Sequence, residues 1–299
     1  MAAFTHVHVH TLAPAPTFLY PVLGALGSMA SCENCAKGFV LPGTPAGSMV
    51  DDAYYSPAPG KETTAPAPSA KAIVLLTDIF GLPLVNSKLL ADELASKVGV
   101  DVWVPDLFNG TPPIKPHELT PLVPDRAGVQ IPFMNKLRLA ALIIPRIPSF
   151  YSNRASVVDA RVANFINKLK AEKKYEKFGA VGYCFGGSIA IRIASRKLVD
   201  TVVICHPGPA SIEEIKAMNV PSSWALAEED SAFPPKLRKS AEEVFKAREG
   251  KEDYIEYEFK DWKGTAHGFA ARPNLDVPEV KAGFEGALEQ TAGWFKKTL

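Results

Sequence analysis

From Lys71 onward the hydrophobic period of this chain switches repeatedly between two patterns. Short apolar runs of strand length alternate with longer stretches whose apolar residues recur every three or four positions. Lys71–Thr77 (KAIVLLT), Val100–Val104, Phe178–Tyr183, Thr201–Cys205, Ser223–Leu226 and Tyr254–Phe259 read as strands. Asn86–Val98, Ala155–Leu169, Gly187–Ala194, Lys236–Arg248 and Pro278–Lys297 read as helices. The continuous runs lack the polar alternation of a one-sided sheet, so they predict strands buried on both faces. Strand and helix in turn predict an α/β fold, with a mostly parallel central sheet covered by helices on both sides.

Proline sharpens the division of the chain. Nineteen of the 26 prolines precede residue 150, and none lies between Pro148 and Pro207. Proline breaks helix interiors and central strands, so regular structure should be densest in that gap. Residues 41–70 combine Pro, Ala, Gly and Ser and read as linker and surface loop. Pro105–Phe150 interrupts the rhythm and includes an apolar, basic stretch, LRLAALIIPRIPSF. Residues 105–150 are therefore a candidate lid or substrate loop, with a plain surface insertion as the alternative.

Residues 1–35 read as a loosely ordered extension preceding a domain at 36–299. The first 32 residues hold no Lys, Arg, Asp or Glu, which fits neither a secretory signal nor a mitochondrial presequence. A weak signal or membrane-touching segment is the alternative, and Met29 offers a start for a shorter form. Prolines interrupt the apolar stretch 17–30, so no stable membrane span is expected. His6, His8 and His10 alternate as a strand face would, and read as a polar face rather than a metal site.

Lys and Arg number 33 against 32 Asp and Glu, for a net charge of +1. This near balance argues against a nucleic-acid partner. Four cysteines among 299 residues make no disulfide scaffold, so a reducing, cytoplasmic location is expected. Cys205 reads as core. Cys32 and Cys35 form a lone CxxC, short of a zinc site, and read as a reversible disulfide or a surface turn.

The chemistry gathers at Gly182-Tyr183-Cys184-Phe185-Gly186-Gly187, between an apolar strand and a helix. A nucleophile at such a turn sits in strained backbone, and glycine is needed where side chains would clash. The following helix N-terminus favours a thiolate and a developing oxyanion. A thiolate nucleophile needs a base and a group that orients it. His267, in GTAHGF, follows one strand, and Asp230 follows the strand WALAEED. Glu228 and Glu229 compete for the acid role, and His206 and His117 are the rival histidines.

GYCFGG, the Asp of AEEDSAFP and the His of AHGF resemble the dienelactone hydrolase family of the α/β-hydrolase fold. The resemblance runs from about Cys32 to Leu299, and its opening, SCENCAKGFVLPGTPAG, is similar to fungal members. It implies a Cys184–His267–Asp230 triad acting on an ester or lactone without metal or organic cofactor. Backbone N–H groups of Ile79 and Phe185 would form the oxyanion hole. In Thr77-Asp78-Ile79-Phe80-Gly81 the family often carries Glu where Asp78 stands, and this acid is expected to contact the nucleophile and support its thiolate. Arg272, shortly after the histidine, is the expected contact for a substrate carboxylate, with Arg126, Arg138, Arg146 and Arg154 as other candidates. A small-molecule substrate and a monomer or homodimer follow. A non-catalytic binding protein, or a thiol-redox protein acting through Cys32 and Cys35, stands as the alternative.

Overall fold

A computed structural model describes residues 39–60 and 70–299 of the chain. Residues 6–10, Cys32 and Cys35 lie outside the described residues, as does the apolar stretch 17–30. The elements run β1 (Ser48–Val50), β2 (Ala53–Ser56), β3 (Lys71–Leu76), α1 (Val85–Val98) and β4 (Asp101–Pro105). Three short helices follow, α2 (Pro116–Leu119), α3 (Phe133–Ile143) and α4 (Ile147–Ser152). The chain continues with α5 (Ala155–Lys173), β5 (Lys177–Tyr183), α6 (Phe185–Ile193), β6 (Thr201–Cys205) and α7 (Ile212–Lys216). It closes with β7 (Ser222–Glu229), α8 (Pro235–Lys246), β8 (Tyr257–Ala266) and α9 (Pro278–Thr298).

These strands form one eight-stranded sheet in the order β1-β2-β4-β3-β5-β6-β7-β8. Strands β3 to β8 run parallel to one another, and β2 pairs antiparallel with β1 and β4. The apolar runs explain the layers. Along β3, Ala72, Val74 and Leu76 join the core beneath α5, α6 and α8. Ile73 and Leu75, pointing the other way, join the core beneath α1 and α9. A strand that feeds two cores can hold no polar alternation, which is why KAIVLL is continuous.

The hairpin β1–β2 corrects the reading of residues 41–70 as linker and loop. Asp51 and Asp52 have φ of 48° and 61°, the left-handed pair that a tight two-residue hairpin requires. All four residues of β2 are buried. The segment 105–150 is more regular than its prolines suggest. Prolines stand in the first turns of α2 and α4, where no intrahelical N–H is lost. Strand β8 starts three residues later than expected and runs on to Ala266, so that His267 follows it directly.

Strands β4 and β5 flank β3 on opposite sides, and the chain direction of winding reverses there. Parallel sheets open a crevice at the carboxyl ends of their strands at such a point. Among the described residues, no helix is long and apolar enough to cross a membrane.

Candidate active site

Cys184 stands between β5 and α6 with φ 52° and ψ −111°, a conformation rarely adopted by a non-glycine residue. Its neighbours hold it there. The Cys184 N–H donates to the Cys205 carbonyl, while its own carbonyl accepts from Gly187 and Gly208. A Cβ on Gly182 would lie 2.1 Å from the Gly186 carbonyl oxygen, and one on Gly186 would lie 2.1 Å from that of Leu76. Both positions therefore admit only glycine if β3, β5 and α6 are to meet this closely.

His267 reaches Cys184 from the end of β8. Its Nε2 lies 3.0 Å from Cys184 Sγ, and its Nδ1 lies 2.8 Å from Asp230 Oδ2. Asp230 follows β7, just past a register shift between Ala227 and Glu229. Its other oxygen accepts the N–H groups of Ala232 and Phe233, which fixes the carboxylate. Burial lowers the pKa of His267. Electrostatic interaction with Cys184 and the hydrogen bonds to Asp230 and Cys184 outweigh it and push the imidazole up to about 10.

The rivals for these positions are occupied elsewhere. Glu228 accepts from Gly264 N–H and pairs with Lys263, and the first of these contacts chiefly holds its carboxyl below the usual range. Glu229 accepts from Gly128. His117 is exposed on α2. His206 is fully buried behind His267, with neither ring nitrogen hydrogen-bonded. Burial, then the charges of His267 and Arg272, keep it well below the usual histidine pKa.

Asp78 is engaged elsewhere than at the cysteine. Its carboxylate faces Arg272, with Oδ2 and Nε 3.2 Å apart, and it makes no hydrogen bond to Cys184 among the described residues. The pair is charge-matched but misaligned, leaving both atoms without a hydrogen-bond partner. Burial raises the pKa of Asp78, opposed mainly by Arg272. The guanidinium also lies over the Phe80 ring, 4.9 Å from its centroid. Asp78 shapes the loop after β3 as well. Its Oδ1 accepts the Phe80 N–H and its carbonyl accepts that of Gly81. Neither the Ile79 nor the Phe185 N–H donates to a protein acceptor among the described residues.

A cavity of about 340 Å³ opens over Cys184 and His267. Its walls are mainly apolar, from Ile79, Leu119, Val123, Val129 and Ile131, with Arg126 and Arg272 as its cations. Arg138, Arg146 and Arg154 do not line it. The segment 119–131 thus roofs the cavity from within the stretch 105–150 that reads as a candidate lid or substrate loop. Three contacts pin this roof: Asn274 to Asp125, Ala127 to the Gly264 carbonyl, and Gly128 to Glu229.

Comparison with known proteins gives one consistent result. Residues 60–299 match the dienelactone hydrolase family. The chain is 30% identical over 280 residues to "Hydrolase tropI" of Talaromyces stipitatus, covering 92% of this chain and 99% of the relative. It is 26% identical over 239 residues to the "Carboxymethylenebutenolidase homolog" of Rattus norvegicus, covering 79% and 86% of the two chains. The crystal structure of a dienelactone hydrolase from Anabaena variabilis shares the fold, with a TM-score of 0.53 at 12% identity over 83% of this chain and 91% of that one. With the sheet order and the elbow at Cys184, these matches establish that the chain belongs to the dienelactone hydrolase family and is a carboxylic ester hydrolase of the α/β-hydrolase fold.

Proposed function

We propose that the enzyme hydrolyses activated esters or lactones through a Cys184–His267–Asp230 triad. The observation that carries this reading is the hydrogen-bonded chain from Sγ through the imidazole to Asp230, with spacings of 3.0 and 2.8 Å. Asp230 fixes the ring so that Nε2 faces the sulfur. The raised pKa of His267 favours an imidazolium beside the Cys184 sulfur at neutral pH.

The thiolate attacks the carbonyl carbon, and the carbonyl π electrons move to oxygen. The Ile79 and Phe185 N–H groups, both without a protein acceptor among the described residues, would donate to that oxyanion, each such donor contributing about 3 kcal/mol to the transition state. Collapse of the intermediate expels the leaving oxygen, which takes the Nε2 proton of His267. The neutral imidazole then removes a proton from water. The hydroxide adds to the thioester, and the carboxylic acid leaves as the thiolate is restored. Thiolate is itself a good leaving group, so stabilised alkoxides and enolates suit this nucleophile better than amines. The apolar cavity accepts a compact hydrophobic body, and Arg272, held by Asp78, offers a charge for a carboxylate.

A panel of aryl esters and unsaturated lactones, assayed with wild type and Cys184→Ala, tests this reading. Turnover should vanish in the variant. Equal turnover by both proteins would overturn the mechanism. Tight binding of an ester with no turnover by the wild type would favour a binding protein instead.

A further inference from the structure

Ten large apolar side chains are exposed among the described residues, and seven of them fall between Val129 and Tyr151. Helix α3 explains the concentration. One side of it brings Leu142 and Ile143 against the small buried cluster of Phe80, Leu84 and Ile114, which Ile79 and Leu119 of the cavity wall also cover. The opposite side carries Phe133, Leu137 and, just past its end, Ile144, spaced to share a helix face. Phe133 is 74% exposed and Ile144 62%. A helix apolar on both sides ordinarily has something against both sides. Ile147 and Tyr151 of α4 extend the exposed patch.

The charge around the patch limits what can cover it. Residues 126–158 contain Arg126, Lys136, Arg138, Arg146 and Arg154 and no acid. Arg146 is neutralised by Glu118 and Arg126 approaches Asp125. Lys136, Arg138 and Arg154 pair with no carboxylate among the described residues, and Arg154 lies over the Tyr151 ring. A two-fold contact with a second copy would set these cations against their own images with no acid on the patch to offset them. Apolar side chains ringed by lysine, arginine and an interfacial tyrosine are instead what a negatively charged lipid surface accepts.

We propose that the outward face of α3 and α4 docks on an anionic lipid bilayer. The patch is continuous in sequence with the roof of the active site. Val129 and Ile131 line the cavity, and Phe133 begins the exposed face two residues later. Docking would set the roof against the bilayer, where apolar esters concentrate.

Flotation of the full chain with vesicles tests the proposal. The protein should float with mixed phosphatidylcholine and phosphatidylserine vesicles, less so as salt rises, and not with phosphatidylcholine alone. Lys136→Glu/Arg138→Glu and Phe133→Gln/Leu137→Gln should each lower the bound fraction about tenfold or more. Hydrolysis of a water-soluble aryl ester should be unchanged in both variants, which shows that they fold. Failure to float with the mixed vesicles, or equal flotation of the variants, would overturn the proposal. So would equal binding to neutral vesicles. Concentration-dependent dimerisation abolished by the same substitutions would overturn it in favour of a second copy.

Discussion

The imidazole of His206 stands edge-on to that of His267, with ring centroids 5.2 Å apart and an interplanar angle of 72°. One ring is held neutral by burial and the other is held protonated by its partners, so they titrate in separate windows. Below about pH 6.5 the unfolded chain binds a proton at His206 that the folded chain refuses. Stability should therefore fall with falling pH in that window, by up to about 1.4 kcal/mol per pH unit from this residue. Urea unfolding of wild type and His206→Asn between pH 7 and 5 checks it, and the variant should show the shallower decline.

His267 behaves in the opposite sense. Its folded pKa is raised, so its contribution to stability is complete below about pH 6.5 and is lost as pH rises through about 10. Histidine NMR should show this ring still protonated at pH 8 in the wild type. In Cys184→Ala the negative charge beside it is gone, and its titration should move down markedly. An unchanged titration would contradict a thiolate at Cys184.

Gly186→Ala puts a methyl group against the backbone of β3, which no rotamer can relieve. We expect a loss of about 3 kcal/mol or more of stability, with displacement of Cys184. Thermal unfolding and the rate of Cys184 alkylation report the two effects separately.

Breaking the buried Asp78–Arg272 pair should be costly. Arg272→Met leaves a carboxylate in the interior without its cation, at a cost of about 3–5 kcal/mol. Asp78→Asn combined with Arg272→Met should recover much of that loss, as chemical denaturation would show. The single variant should also raise KM for substrates that carry a carboxylate more than for neutral ones.

The fold was readable where one local signal decided the outcome. Continuous apolar runs marked the parallel strands, and a glycine-flanked cysteine between strand and helix marked the elbow. Asp230 and His267 could be picked out because strand ends in a parallel sheet gather at one edge. The hairpin at Ser48–Ser56 was hidden, since two very short strands in a Pro/Gly/Ser-rich stretch have no period to detect. The helices of 116–152 were hidden by prolines, whose tolerated place in a first turn is visible only once the helix start is known. The partner of Asp78 could not be read at all. Pairing with Arg272 is a long-range fact, set by how the loop after β3 and the turn after β8 converge.

The roof over the cavity is tied to Glu229 and Gly264, one residue before Asp230 and three before His267. A longer or looser roof would pull on the same strand ends that align Asp230 and His267. Enlarging or reshaping the chamber is therefore easiest at side chains that hang from the roof, such as Val129 and Ile131. Substrate range can drift at those two positions while the reaction itself stays fixed.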